Sequence, residues 1–306
     1  MIQNNVDFKS IEYLEGDASN RKYFKILQNK IYNILMYDDS KKEGIENFIV
    51  KTQEFQKFGM KVPKILFSSS QNGLLILENF GELKYNEILN QRNEKELYKI
   101  AIDALVHLHK TKTKIKFEPY SKLLFFEESK LFFDWYLKYK KKKFKHIQLK
   151  EFKDLLYEIL EIPLSLPKVN IHRDYHVDNL FYLPNNKGIQ KCGWIDYQDA
   201  LLGPMIYDIM SLLEDVRRVI SEELKKELLD YYLENIKFED KELCKLAFSI
   251  IAIQRHLKVL GVFSRLHIRD KKSGYLKYIP NTISMLKNNL ETKELKCMRN
   301  FINQFL

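Results

Sequence analysis

Short apolar runs alternate with turn residues along the first part of the chain: Ile11 to Leu14, Tyr23 to Leu27, Ile31 to Tyr37, Ile65 to Ser68 and Leu74 to Glu78. Such runs, rich in branched and aromatic residues, predict strands. Between the third and fourth, Ile45, Phe48, Ile49, Phe55 and Phe58 predict a helix from Glu43 to Gly59, closed by that glycine with Pro63 just beyond. A small antiparallel sheet with one inserted helix is expected.

After Gly81 the period changes. Leu97, Ile100, Ala101, Ala104, Leu105 and Leu108 predict a helix behind an Asn93 cap, with Glu96 completing a capping box. His107 and His109 at its end read as helix-terminal residues, not ligands. Further helices are predicted over Glu127 to Lys141, Leu149 to Leu160, Met205 to Val219, Glu222 to Leu233, Lys241 to Arg265 and Asn281 to Leu290. The expected fold class is α+β: a sheet lobe over residues 1–80 and a larger, mainly helical lobe over 81–306, with no repeat or long linker between them.

With 306 residues, 45% apolar and 30% charged, the chain can bury a core without staples. Cys192, Cys244 and Cys297 are widely spaced and odd in number, which fits reduced thiols better than a disulfide framework. The start, Met1 to Lys9, has neither the basic opening nor the apolar run of a secretory signal. Leu246 to Phe263 is the most apolar stretch, but Gln254, Arg255, His256 and Lys258 make it a poor membrane span and a good buried helix. A cytoplasmic protein is expected. The net charge of +10 favours anionic partners. The basic run Lys138 to Lys145 could grip nucleic acid, yet a solvated helix end is the plainer reading, and nucleic acid is not the expected partner.

The chemistry concentrates in Val169 to Tyr182 and Gly193 to Asp199. Leu180 to Leu183 and Cys192 to Ile195 predict a hairpin turned by Pro184 to Gly188. Its register makes Asn179 and Asp196 neighbours. An amide oxygen beside a carboxylate supplies hard ligands for magnesium, which takes few protein groups and fills its shell with phosphates and water. Asp174, five residues before Asn179, is then placed to accept the proton of an attacking hydroxyl. Each residue alone would pass as a loop cap; the spacing His-x-Asp-x-x-x-x-Asn with a later apolar-flanked Asp favours catalysis. A zinc site on His172 and His176 lacks the glutamate a metalloprotease needs and an evident third ligand.

The segment resembles the catalytic loop and magnesium motif of the aminoglycoside phosphotransferase family, small-molecule kinases of the bilobal protein-kinase-like fold. The resemblance implies Asp174 as base, Asn179 and Asp196 as metal ligands, and His172 and Asp208 as braces of the loop, with Mg2+ as cofactor and ATP as co-substrate. Leu14 to Tyr23, Gly203 to Ile209 and Gln254 to Gly261 resemble a narrower group, anomeric kinases for N-acetylmuramate and N-acetylglucosamine. By the same resemblance Gly16, Asp17 and Ser19 cover the nucleotide, and Leu75 to Phe80 is the hinge whose backbone near Glu78 and Phe80 hydrogen-bonds adenine. One departure matters: Ile31 to Tyr37 lacks the third-strand Lys of protein kinases. Arg21, Lys22 and Lys25 are candidates to neutralise the phosphates, with Glu46 or Glu54 as a partner.

Too few residues separate Asp196 from Gly203 and Pro204 to form the segment that presents a peptide. A small hydroxylated substrate is expected. An aminoglycoside is a polycation that calls for a carboxylate-rich pocket, whereas this basic chain suits an anionic or neutral sugar. Asp199, close to Asp196, and Arg255 and His256, which interrupt a buried helix, are the candidate acceptor contacts; for the latter two a buried structural pair is the alternative. The rival readings are a kinase for an aminoglycoside or amino alcohol and a nucleotide-binding regulator without turnover.

Overall fold

A computed structural model describes residues 10–14, 21–40, 42–111 and 117–306. Gly16, Asp17 and Ser19 of the expected nucleotide loop, and the opening Met1 to Lys9, lie outside the described residues. The chain divides into two compact units. One is built from residues up to Asn90 together with Asp178–Asp199, the other from Gln91–Val177 and Ala200–Leu306.

The first unit holds strands β1 (Ile11–Leu14), β2 (Lys22–Gln28), β3 (Ile31–Tyr37), β4 (Ile65–Ser69) and β5 (Leu74–Glu78), in the order β1-β2-β3-β5-β4 and antiparallel throughout. All five runs read from the sequence are strands within a residue. Helix α1 (Lys42–Lys57) follows β3 and buries Ile45, Phe48, Thr52 and Phe55, one stripe at helical spacing. A single turn, α2 (Tyr85–Ile88), closes this stretch.

The second unit begins with α3 (Glu94–Lys110), α4 (Lys122–Leu131), α5 (Leu137–Tyr139), α6 (His146–Ser165) and strand β6 (Lys168–Ile171). Asn93 makes no side-chain cap on α3, so the expected capping box does not form. The helix expected from Glu127 begins earlier, where the Ser121 hydroxyl accepts from Leu124 N–H, and passes through a π turn at Phe132–Tyr136.

The hairpin β7 (Leu180–Tyr182) and β8 (Cys192–Trp194) returns to the first unit, with Leu180 opposite Trp194. It packs on α1. Trp194 meets Phe55 edge-on, Tyr197 meets Phe48 and Phe55, and Trp194 N–H donates to the Lys61 carbonyl.

Strand β9 (Leu201–Pro204) rejoins the second unit and pairs antiparallel with β6, a two-stranded sheet that the apolar pattern did not predict. Then come α7 (Ile206–Leu213), α8 (Glu222–Ile236), α9 (Lys241–Ile268), α10 (Ile279–Leu290) and α11 (Lys296–Ile302). Helix α7 stops six residues short of the expected Val219, because the Asp215 carboxylate accepts from Arg217 N–H and competes with the next helical turn.

Helix α9 is the core element. By length and composition alone it could cross a membrane, and 72% of its most apolar window is buried within the protein. Gly261 lets it approach α4 closely: a Cβ there would strike the backbone carbonyl of Leu131.

Candidate active site

The first unit carries one half of the predicted constellation. The ladder Leu180 to Trp194 continues as a bond from Ile195 N–H to the Asn179 carbonyl, 3.0 Å, so Asn179 and Asp196 stand at the same end of the hairpin. Asp196 lies at φ +62°, in the left-handed region that L-residues seldom occupy. Gln198 Nε2 donates to Asp196 Oδ1 at 2.8 Å. From α1, Asn47 donates to the Gln198 carbonyl and the Thr52 and Tyr197 hydroxyls share a bond of 2.9 Å, which fixes the turn after Asp196. Burial and then the charge of Asp196 push the Tyr23 phenol up. One amide and one carboxylate oxygen at a hairpin end fit the preference of magnesium for hard oxygen donors and few protein ligands.

Arg21 lies one step beyond the Lys22–Tyr37 pair, and its Nε donates to Asp38 Oδ2 at 2.8 Å. Burial alone would lower its pKa, but the Asp38 bond and the charges of Asp38 and Asp199 raise it. Asp38 also accepts from the backbone and hydroxyl of Ser40, and Gly44 in the first turn of α1 has no room for a Cβ against both. Arg21 is therefore held by Asp38, whereas Glu54 pairs with Lys57 and Glu46 with Lys42. Lys22 is exposed, and Lys25 reaches Glu82 and the face of Tyr32. The hinge side chains do more than the sequence suggested. Glu78 accepts both bonds from Lys61 Nζ, 2.8 and 2.9 Å, and the Phe80 ring lies where a Cβ on Gly193 would sit.

The second unit carries the other half. Strand β6 ends at Ile171, and the loop after it is clamped by buried Asp208 of α7, which accepts from His172 N–H (2.6 Å) and Arg173 N–H (3.0 Å). That grip stabilises Arg173 at φ +73°. Burial pushes the Asp208 carboxyl up to about 7 against the pull of the two N–H groups. Asp174 follows, with its side chain 32% exposed. Burial would raise its carboxyl, yet Lys258 first, then Arg255, His176 and Arg173, hold it well below the usual carboxylate range.

Arg255 donates to the Arg173 carbonyl at 2.9 Å, to the Tyr207 hydroxyl at 3.3 Å and to Asp174 Oδ1 at 3.4 Å. Glu128 of α4 accepts from Lys258 at 3.0 Å, and from Arg173 and the Tyr120 hydroxyl. His256 has another setting: its ring is buried, Nε2 bonds Glu214 at 2.8 Å, and Glu214 also takes Lys225 and Asn289. Asp199 is exposed. Sequence reasoning missed Asp38, Glu128 and Lys61. Only Gly44, a glycine inside a helical pattern after Asp38 and Ser40, offered a signal.

The sheet with its inserted α1, the helical second unit and the loop with its clamp define a protein-kinase-like fold of the phosphotransferase class. Residues 10–244 match the model of the phosphotransferase enzyme family that includes the aminoglycoside phosphotransferases. The chain belongs to this family and is an ATP-dependent kinase. It is 30% identical over 282 residues to the N-acetylmuramate/N-acetylglucosamine kinase of Pseudomonas aeruginosa, covering 89% of this chain and 81% of that one. It is 28% identical to the protein of that name from Neisseria meningitidis, covering 90% and 84%. An ADP-bound aminoglycoside phosphotransferase superposes with a TM-score of 0.59 at 16% identity, covering 93% and 94%.

Proposed function

We propose that this kinase phosphorylates the anomeric hydroxyl of N-acetylmuramate or N-acetylglucosamine in the cytoplasm, with Mg2+ as cofactor. The observation that carries the acceptor is the 30% identity, over most of both chains, to a kinase named for those sugars. In this reading the anomeric oxygen forms a bond to the γ-phosphorus as the bond to ADP breaks, and the Asp174 carboxylate takes the hydroxyl proton. Asp208 and His172 position the loop that carries Asp174. Asp174, whose carboxyl the surrounding cations hold below the usual carboxylate range, stays ionised and also orients the hydroxyl.

Asn179 and Asp196 hold the magnesium, which supplies charge neutralisation to the phosphates. Arg21, held by Asp38, takes the place of the missing third-strand lysine. Gly16, Asp17 and Ser19, which lie outside the described residues, and Lys22 are the phosphate contacts in this reading, and the backbone near Glu78 and Phe80 receives adenine. Asp199 and Arg255 face the acceptor, whereas His256, bonded to Glu214, supports α9.

The test is incubation with ATP, magnesium and a panel of free amino sugars, followed by phosphorus NMR. An acid-labile anomeric phosphate is expected, and the methyl glycosides should not react. Phosphate on any other hydroxyl would overturn the assignment.

A further inference from the structure

Arg173 directly precedes Asp174 and is held at three points by three helices. Its N–H donates to Asp208 of α7 at 3.0 Å, its carbonyl accepts from Arg255 of α9 at 2.9 Å, and its guanidinium donates to Glu128 of α4. The first two bonds act along the backbone, where they resist translation more than rotation about the local chain direction, the motion that would swing the Asp174 carboxylate. The third acts off that axis. Arg173 lies at φ +73°, and a side-chain-bearing residue stays in that region only where its surroundings hold it.

Glu128 is placed to be a fixed anchor. It is 9% exposed, and it also accepts from Lys258 Nζ at 3.0 Å and from the Tyr120 hydroxyl. The Tyr120 ring faces the Arg173 guanidinium, whose carbon is 5.2 Å from the ring centroid, and Tyr120 N–H donates to the Leu202 carbonyl of β9 at 2.8 Å. Strand β9 pairs with β6, whose last residue leads into the Asp174 loop, so the anchor and the entry to the loop refer to one small sheet. A buried ion pair is weak evidence for stability, because desolvation offsets much of its attraction. Direction is what it supplies, since the planar guanidinium fork fits a carboxylate in few geometries.

We propose that Glu128 is a positioning residue for phosphoryl transfer, acting through the Arg173 guanidinium to fix the Asp174 carboxylate against the attacking hydroxyl. This rests on the reading of Asp174 as the proton acceptor. Glu128 itself touches no reacting atom.

The test uses the full chain with ATP, magnesium and the amino sugar that reacts best in the panel above. Steady-state kinetics and Tm are measured for Arg173→Gly and Glu128→Gln, each also in the Asp174→Asn background. Glycine accepts a positive φ without strain, and Glu128 keeps Lys258 and Tyr120, so Arg173→Gly removes the guanidinium and spares the fold. It should lower kcat about 10- to 100-fold, the cost of a misplaced reacting group, with the KM for ATP within about twofold of its original value. In the Asp174→Asn background either substitution should change kcat by less than about twofold, because a residue that acts through Asp174 then has nothing left to position.

The same fold-loss of kcat in both backgrounds would make the Glu128–Arg173 pair part of the general architecture and overturn the proposal, as would an Arg173→Gly enzyme with undiminished kcat. If Glu128→Gln does not fold, Arg173→Gly and its double variant decide by the same criteria. Failure of the underlying reading looks different: no sugar receives phosphate, or Asp174→Asn alone retains full kcat, and both conclusions fall together.

Discussion

Asp196 occupies a backbone conformation that costs about 1–3 kcal/mol for a residue with a side chain. Thr52, Asn47 and Gln198 hold it there, and strain retained in this way marks a position where geometry matters more than stability. Asp196→Asn should leave the fold intact and lower kcat by at least about a hundredfold, with calorimetry showing weaker magnesium-dependent binding of ATP. Unchanged magnesium dependence would count against Asp196 as a ligand. Asp174→Asn should retain ATP binding and lose about 10²- to 10⁴-fold in kcat.

Asp208 makes a prediction in pH. Its folded carboxyl titrates at about 7 against an unfolded value of ~3.9. Its contribution to stability is therefore complete below the unfolded value and is lost as pH rises through about 7. Urea unfolding at several pH values should show that the stability difference between the unsubstituted protein and Asp208→Asn shrinks across this window. A constant difference would rule the titration out.

At the scale of elements, two close contacts set the packing. Gly261 admits no side chain against α4, so Gly261→Ala should cost about 1–3 kcal/mol by overpacking, read as a lower urea midpoint. Trp194 is fully buried between β8 and α1, and Trp194→Ala should cost about 3–5 kcal/mol.

Elements were also what the sequence disclosed best. The strands of the first unit are short apolar runs between turn residues, and their ends are marked locally. The β6–β9 pair was not legible, because four-residue strands distant in sequence carry no local sign of whom they pair with. Asn179 and Asp196 were legible as neighbours because one hairpin sets their register. Asp38 and Glu128 were not, since a carboxylate that meets its cation through the fold looks in sequence like any solvated acid. His256 shows the converse limit: a polar residue in an apolar helix signals a buried partner without saying whether that partner is substrate or protein.

For the whole molecule, the division of the chain into units explains why motif spacing was informative. Val177 ends a piece of the second unit, anchored by its N–H on Asp215, and the next residue belongs to the first. The hairpin 178–199 completes the hydrophobic face of α1, so a fragment of residues 1–90 should expose Phe48, Phe55 and Phe80. That fragment should bind a hydrophobic dye, and a peptide of residues 178–199 added in trans should suppress the signal; a folded, dye-free fragment would contradict the packing. The basic stretch Lys138 to Lys145 runs from the end of α5 to the start of α6, and Lys142 reaches the carbonyls of Phe305 and Leu306.

The first unit's two pieces are separated by residues 91–177, all assigned to the second unit. On the ribosome, the sheet and α1 emerge first but lack their covering hairpin until residue 199 is made, so the usual order, in which the amino-terminal unit matures before the next is synthesised, is closed to this protein. Its apolar α1 face must wait for its covering hairpin while residues 91–177 of the second unit are synthesised.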